Sequence, residues 1–281
     1  MIDHPRCLLW KRGWCGVVFA LAWCFASGAA ANDTCAPLDG GSYDVQRVID
    51  GETLLLEGGT EVRLIGALAW GSDTEASRDG AQAQTGTRAL ESLVRERSVR
   101  LRYDGRQRDR YGRALAQVYV GAKEAGGEIW LQERLIRDGH ARSYALLNNS
   151  GCFKFLLAAE AEARAEKRGL WGVDKYRVRS ANDVEALLRL TGQFVIVEGR
   201  VASTARTQKT TYINFGADWR GDFTASVANT AVDRASNGAP MISSLTGKLV
   251  RVRGWIERRN GPMVTLVSID EIEVPENGKA N

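Results

Sequence analysis

Three strand-length apolar runs lie within residues 43–65, and two glycine turns break them, which confines the start of this chain to short antiparallel pairings. Val45, Val48 and Ile49 on one side of Asp50-Gly51 and Leu54 and Leu56 on the other read as a hairpin. Gly58-Gly59 supplies a second turn before a third strand at 61–65. Over 81–96 the pattern changes to helical spacing, with Leu90, Leu93 and Val94 among polar neighbours, so a surface helix with one buried stripe is expected. Strands at 98–103 and 114–120 follow, then a helix at 129–137 with Leu131, Leu135 and Ile136 inward and Gly139 as its stop. An alanine-rich helix at 153–168 ends at Gly169. Five short strands with helices after the third and the fifth predict an OB-type barrel of mainly β, α+β class.

A polar link at 174–183 and a short helix at 184–190 precede a second group of strand-forming runs, at 194–202, 211–215, 223–227, 249–256 and 264–274. Their β-branched and aromatic content, interrupted by Gly199, Gly216 and Gly254, predicts a second small β-barrel. The expected organisation is a signal segment at 1–31, an N-terminal segment at 32–42, a first barrel at 43–173, a link with a helix at 174–190, a second barrel at 191–276 and a tail at 277–281.

Lys11 and Arg12 precede an apolar run at 17–25 that gives way to small residues at 27–31, the pattern of a secretory signal peptide cleaved after Ala31. A periplasmic or secreted protein is therefore expected. The run falls short of the roughly 20 residues a spanning helix needs, and no later segment is apolar enough, so no transmembrane anchor is expected after cleavage. A lipid anchor at Cys24 is the rival, but Trp23 occupies the preceding position, where a small residue is wanted. Cys7, Cys15 and Cys24 leave with the signal, and Cys35 and Cys152 are expected to pair in an oxidising compartment, the alternative being two free thiols. The net charge of +4 is no strong polyanion signature, yet eight arginines crowd residues 95–113 and would draw a phosphate-bearing partner there. His140 is the one histidine outside the signal segment and no phosphate-binding P-loop is present, which disfavours histidine-based and zinc chemistry.

The stretch Val48-Ile49-Asp50-Gly51-Glu52-Thr53, followed by Val62-Arg63-Leu64-Ile65-Gly66, resembles the start of a staphylococcal-nuclease-like (thermonuclease) domain. Asp109-Arg110-Tyr111-Gly112-Arg113-Ala114-Leu115-Ala116 is similar to that family's D-x-Y-G-R-x-L-A segment, and residues 131–141 and 160–171 resemble its later helices, in the right order and spacing. The resemblance covers roughly residues 43–172. It implies phosphodiester hydrolysis with one calcium ion held by carboxylates, a carboxylate base and two arginines that neutralise charge on the phosphate. It also implies that the second barrel is an OB-like accessory domain.

Carried over residue by residue, Arg63 and Arg113 match the phosphate-clamping arginines, Asp50 matches the acidic residue that opens the turn, and Glu52 replaces a metal-binding aspartate. Leu68 stands at the second metal carboxylate, Gly71 at the general base and Trp70 at a proline. Asp73 and Glu75, just downstream, are the residues that a local shift would need to rebuild the site. Arg63 has a plainer reading, an ion pair with Asp50 or Glu52 that holds the barrel together. Trp70 either stacks on a base or sugar at the cleft rim or plugs a disused pocket. Tyr111, and in the second barrel Trp219 and Arg220, are further possible ligand contacts, although many of that barrel's aromatics must be core. The expected function is recognition of nucleic acid or another phosphate-bearing ligand without efficient hydrolysis and with no required cofactor, a protein partner being possible. The alternative is a working nuclease that depends on calcium.

Overall fold

The computed structural model describes residues 35–36, 38–72, 80–121, 127–149 and 151–275. The expected signal peptide at 1–31 and the residues Asp73 and Glu75 lie outside them. No helix among the described residues is long and apolar enough to cross a membrane. Cys35 and Cys152 are joined in a disulfide that spans 117 residues of chain.

In the first half, β1 (Leu38–Asp50), β2 (Thr53–Leu56) and β3 (Glu61–Leu64) form a meander, and β4 (Ala67–Ala69) follows. After α1 (Ala81–Val94) come β5 (Ser98–Tyr103), β6 (Ala114–Gly121) and β7 (Glu128–Trp130), then α2 (Leu131–Arg137), β8 (Ala141–Ser143) and α3 (Phe153–Ala165). The strand order β3-β2-β1-β5-β6-β7 closes on itself through a parallel pairing of β3 with β6, in which Arg63 lies opposite Leu115. The five strands β1, β2, β3, β5 and β6 thus make the closed barrel expected from the sequence, with Leu54, Val62, Leu64, Leu101 and Val118 inside and Leu90, Leu135 and Leu156 of the helices packed on the same core.

The second half runs β9 (Arg179–Ser180), α4 (Val184–Arg189), β10 (Phe194–Arg200), β11 (Ser203–Arg206), β12 (Thr210–Asn214), β13 (Thr224–Ala228), α5 (Asn229–Arg234), α6 (Gly238–Ser243), β14 (Leu249–Arg259) and β15 (Gly261–Leu266). Its sheet order is β11-β12-β13-β15-β14-β10-β9. Only Val201 and Ala202 separate β10 from β11, so these are two halves of one bent strand that pairs with β14 at one end and β12 at the other. Counting them as one, both halves of the chain follow the same order, first-second-third-fifth-fourth, with the third and fifth strands parallel and helix between the third and fourth. Val197, Ile213, Phe223, Val227, Val252 and Val264 fill the second core.

Several short elements depart from the sequence expectation, each for a local reason. The helix expected from 129 begins at Leu131, because Glu128–Trp130 pairs with β6 as an edge strand and the Trp130 indole stacks on Tyr119 and donates to Gln117 Oε1 at 2.9 Å. The last strand, expected at 264–274, stops at Leu266, because Ser268 and Glu271 form a capping box that starts a turn of 3₁₀ helix at Ile269–Glu271. β4 and β8 are three residues each, too short to carry a period, and α5 and α6 hold Asn229, Gly238 and Pro240, which read as loop. The polar link at 174–183 is no free tether, since Tyr176 and Ala181 within it are buried and Arg179–Ser180 pairs with β10.

The two cores meet across a layer that is both apolar and charged. Trp171, Tyr176 and Ile196 form a cluster on which Trp70 packs, and Arg142 of β8 donates to the Phe194 carbonyl at 2.8 Å while its guanidinium lies over Phe194 and Tyr176. Beside it, Arg253 of β14 reaches into the first half and donates to both oxygens of Glu160, at 2.8 and 2.9 Å. Glu160 also accepts from the Ser143 amide at 2.6 Å and from Arg164 at 3.0 Å, and Glu273 bridges Arg253 and Arg164. Arg253 and Glu160 are fully buried.

A buried pair contributes little when intact but is costly to halve, because the remaining charge loses its partner in a medium that cannot solvate it. Glu160→Ala is therefore expected to lower stability by about 3–5 kcal/mol in denaturant unfolding. Glu273 adds a pH dependence. Burial pushes its carboxyl up, but Arg253, Arg164 and Arg251 outweigh that and hold it at about 2, below its ordinary 4.5. Its folded pKa is depressed, so its contribution is complete above about 4.5 and is lost as pH falls toward 2. Unfolding midpoints measured across that window should fall steeply for the native chain and less steeply for Glu273→Gln.

Candidate nucleic-acid site

At the mouth of the first barrel is a cleft of about 790 Å³, lined by Asp50, Glu52 and Arg63 from β1 to β3, by Arg106, Asp109, Tyr111 and Arg113 from the β5–β6 connection, and by Tyr144 after β8. Barrel closure is what assembles it, since pairing β3 with β6 puts Arg63 and Arg113 on the same rim though they are fifty residues apart in the chain.

Glu52 sits in the β1–β2 turn and is 3% exposed. Asp50 Oδ1 accepts the Glu52 amide at 2.9 Å, an Asx turn that fixes the backbone, and the Glu52 carbonyl accepts the Leu64 amide at 2.8 Å. Both carboxylate oxygens are engaged: Oε1 pairs with Arg63 Nη1, and Oε2 accepts the Ala69 amide at 2.8 Å. The ion pair to Arg63 is the plainer of the two readings its position allows, and it coexists with a guanidinium that still faces the cleft.

Arg113 is set differently, by Asp109 at the start of the same D-x-Y-G-R segment, to which the sequence alone assigned no role. Asp109 Oδ1 accepts the amides of Tyr111 and Arg113, at 2.9 and 3.0 Å, and Oδ2 pairs with Arg113 Nε at 2.7 Å. Burial raises the Asp109 carboxyl, but Arg113 and these amides draw it below its ordinary value, so it stays charged. Among the described residues only Nε is taken up, which leaves the terminal nitrogens of the fork for an oxyanion. Tyr111 is 68% exposed at the tip of the same turn, with the Arg110 guanidinium 4.7 Å and that of Arg113 5.6 Å from its ring centre. The signal for Asp109 was in the sequence, as an acid four residues before the arginine in a glycine turn. Tyr144 gave no such signal. It reaches the cleft because its amide donates to the Gly66 carbonyl at 2.9 Å, and burial raises its hydroxyl pKa so that it remains a neutral donor.

Leu68, Trp70 and Gly71 do not line the cleft. Leu68 is buried in β4 opposite Arg142, and Trp70 turns away from the cleft to meet Tyr176 edge-on at 6.3 Å. Trp70 is thus an interface residue and not a stacking surface at the cleft rim. Gly71 has a φ of +87°, and a Cβ there would lie 2.6 Å from the Ala83 amide nitrogen of α1. Asp73 and Glu75 are outside the described residues, and Trp219 and Arg220 lie on the second barrel.

A hard cation asks for six to eight oxygen ligands. Asp50 and Glu52 already spend oxygens on the Glu52 and Ala69 amides and on Arg63, and no group of three or more acidic, histidine or cysteine side chains among the described residues converges on a metal position. Among the described residues, Asp50 and Glu52 do not by themselves supply the ligands that the calcium ion implied by the family resemblance would need, and Asp73 and Glu75 lie outside them.

The model of the family described as staphylococcal nuclease homologue matches residues 62–173. The chain is 31% identical over 140 residues to "Thermonuclease" of Staphylococcus intermedius, covering 47% of this chain and 77% of that protein. This chain belongs to the staphylococcal nuclease homologue family. It is also 30% identical over 138 residues to "Thermonuclease" of Staphylococcus hyicus, covering 46% of this chain and 75% of the relative. With "Uncharacterized endonuclease" of Escherichia coli O157:H7 it shares 33% identity over 140 residues, covering 49% and 79%.

Within this staphylococcal nuclease homologue, Gly71 offers a direct check on what the turn before α1 tolerates. A glutamate placed there must adopt a left-handed backbone and displace α1, at a cost of about 1–3 kcal/mol for the backbone alone. Gly71→Glu should lower the denaturation midpoint and leave nuclease activity where it was.

Proposed function

We propose that this chain is an exported member of the family that binds nucleic acid, or another phosphate-bearing ligand, through Arg63 and Arg113 without hydrolysing it efficiently. The observation that carries this reading is the state of Glu52, each of whose carboxylate oxygens is already engaged, one by Arg63 and the other by the Ala69 amide. A carboxylate so engaged is a poor metal ligand and a poor base, while the two guanidiniums and the Tyr144 hydroxyl remain suited to oxyanion recognition. Export is supported by the Cys35–Cys152 disulfide, which oxidising compartments sustain.

In this arrangement the Glu52 carboxylate acts as a resident anion on Arg63. An arriving phosphate shares Arg63 with it and takes the free fork of Arg113, so neutralising Glu52 should strengthen binding. That relatives are named thermonuclease and endonuclease favours the second reading, a calcium-dependent nuclease, which would need Asp73 or Glu75 to enter the site.

One set of measurements separates the two. DNA and RNA are incubated with the mature protein in calcium and in chelator, and binding is followed with chelator present. The expected result is no chelator-sensitive cleavage. Loss of a charge-assisted contact of about 1.5–3 kcal/mol in Arg113→Ala should weaken binding roughly 10- to 150-fold, and Glu52→Gln should tighten it. Chelator-sensitive cleavage that Arg113→Ala abolishes would overturn the proposal in favour of the nuclease.

A further inference from the structure

The second barrel carries a groove of about 510 Å³ that plays no part in the cleft described above. Its floor comes from three neighbouring strands: Tyr212 and Asn214 of β12, Thr224 of β13 and Met263 of β15, with Asn214 beside Thr224 and Thr224 beside Met263 in the ladder. Its walls are Trp219 in the β12–β13 loop and Arg259 and Asn260 in the β14–β15 turn.

Trp219 is 51% exposed, and its loop is tightly built. Asp218 Oδ1 accepts the Arg220 amide at 3.1 Å, the Asp218 carbonyl accepts the amides of Gly221 and Asp222 at 3.0 and 2.8 Å, and Asp222 Oδ2 accepts the Asp218 amide at 2.8 Å. The opposite turn is locked to it. A Cβ on Gly261 would lie 2.4 Å from the Gly221 carbonyl oxygen and 2.6 Å from that of Asp222, so the two loops touch backbone to backbone and only glycine fits between them. A large aromatic held in solvent by a rigid loop is pre-organised contact area, because the ordering cost that a mobile loop would pay on binding has been met in folding.

Charge narrows the occupant. No carboxylate lines this groove, whereas the first cleft sets Asp50, Glu52, Glu61 and Asp109 against its arginines. Arg259 is exposed with no ion pair among the described residues, and Arg220, also without one, lies with its guanidinium 4.2 Å from the Trp219 ring centre. A neutral sugar would use the indole and leave the cations idle. An acidic peptide would use the cations and leave the flat floor of Tyr212, Met263 and Trp219 unexplained. A ligand that alternates flat rings with anionic links uses both, and its rings must be unpaired for their faces to be reached.

We infer that this groove binds single-stranded nucleic acid, with Trp219 as a stacking platform for a base and Arg259 and Arg220 as contacts to the flanking phosphates. The residues are distinct from Arg63 and Arg113, so the second barrel contributes a contact of its own.

The test is fluorescence anisotropy of a labelled oligothymidylate against the full mature chain in chelator, with a duplex of the same length as comparison. The single strand should bind more tightly than the duplex. Trp219→Ala should weaken it about 5- to 150-fold, the equivalent of one stacked base, while Trp219→Phe keeps most of the affinity. Arg259→Ala should reduce the salt dependence of binding. The Trp219 effect should persist in an Arg113→Ala background, so that failure of the first cleft and failure of this groove give different patterns. Equal binding by the Trp219→Ala chain, or no preference for the single strand, overturns the inference, as does displacement of the oligonucleotide by a neutral oligosaccharide or an acidic peptide at the same concentration.

Discussion

The ion pair between Arg253 and Glu160 is the point at which the two halves of this protein become one object. Arg253 belongs to the fourth strand of the second barrel and Glu160 to the last helix of the first, and neither is reached by solvent. Each charge is tolerable there only because the other is present, with Ser143, Arg164 and Glu273 as further partners of the pair, although Arg253 Nε has none among the described residues. Apolar contacts alone would allow the barrels to slide over one another. A buried pair with three further partners allows one arrangement, because any other strands a charge in a medium of low polarity.

That fixed arrangement reaches the cleft by a short route. Ser143, whose amide donates to Glu160, lies in β8, and β8 pairs with β4, whose Ala69 amide donates to Glu52. Tyr144, the next residue, enters the cleft directly. The same β4 segment continues into Trp70, which packs on Tyr176 between the barrels. Trp70 has thereby become an interface residue, while Gly71 beside it lies under α1. This gives a physical reason why Trp70 and Gly71 suit the present chain: one fills the junction with the second barrel, and the other lets the backbone turn beneath α1.

The repeated topology also bears on the two binding surfaces. In both halves the first strand pairs with the second and the fourth, and the third runs parallel to the fifth. The turns of the first half carry the proposed anion clamp, in which Asp50 and Asp109 hold Glu52 and Arg113. Those of the second carry a rigid aromatic loop. One fold thus carries two unlike sets of side chains, consistent with function residing in the site more than in the scaffold.

Much of this was legible in the chain order of residues. The glycine turns and apolar alternation of 43–65, the helical spacing of Leu90, Leu93 and Val94 and the D-x-Y-G-R segment are local signals, and local signals survive in a sequence because they act over one turn or one strand. They were enough for the first barrel and for the family, and Arg63 and Arg113 do line one cleft. The partners of Glu52, the inward path of Arg253, the arrival of Tyr144 in the cleft and the diversion of Trp70 to Tyr176 were decided by tertiary structure alone. Each depends on segments far apart in the chain meeting at a particular depth. Hydrophobic periodicity reports which face of an element is buried, but not which charged or aromatic group will be waiting there.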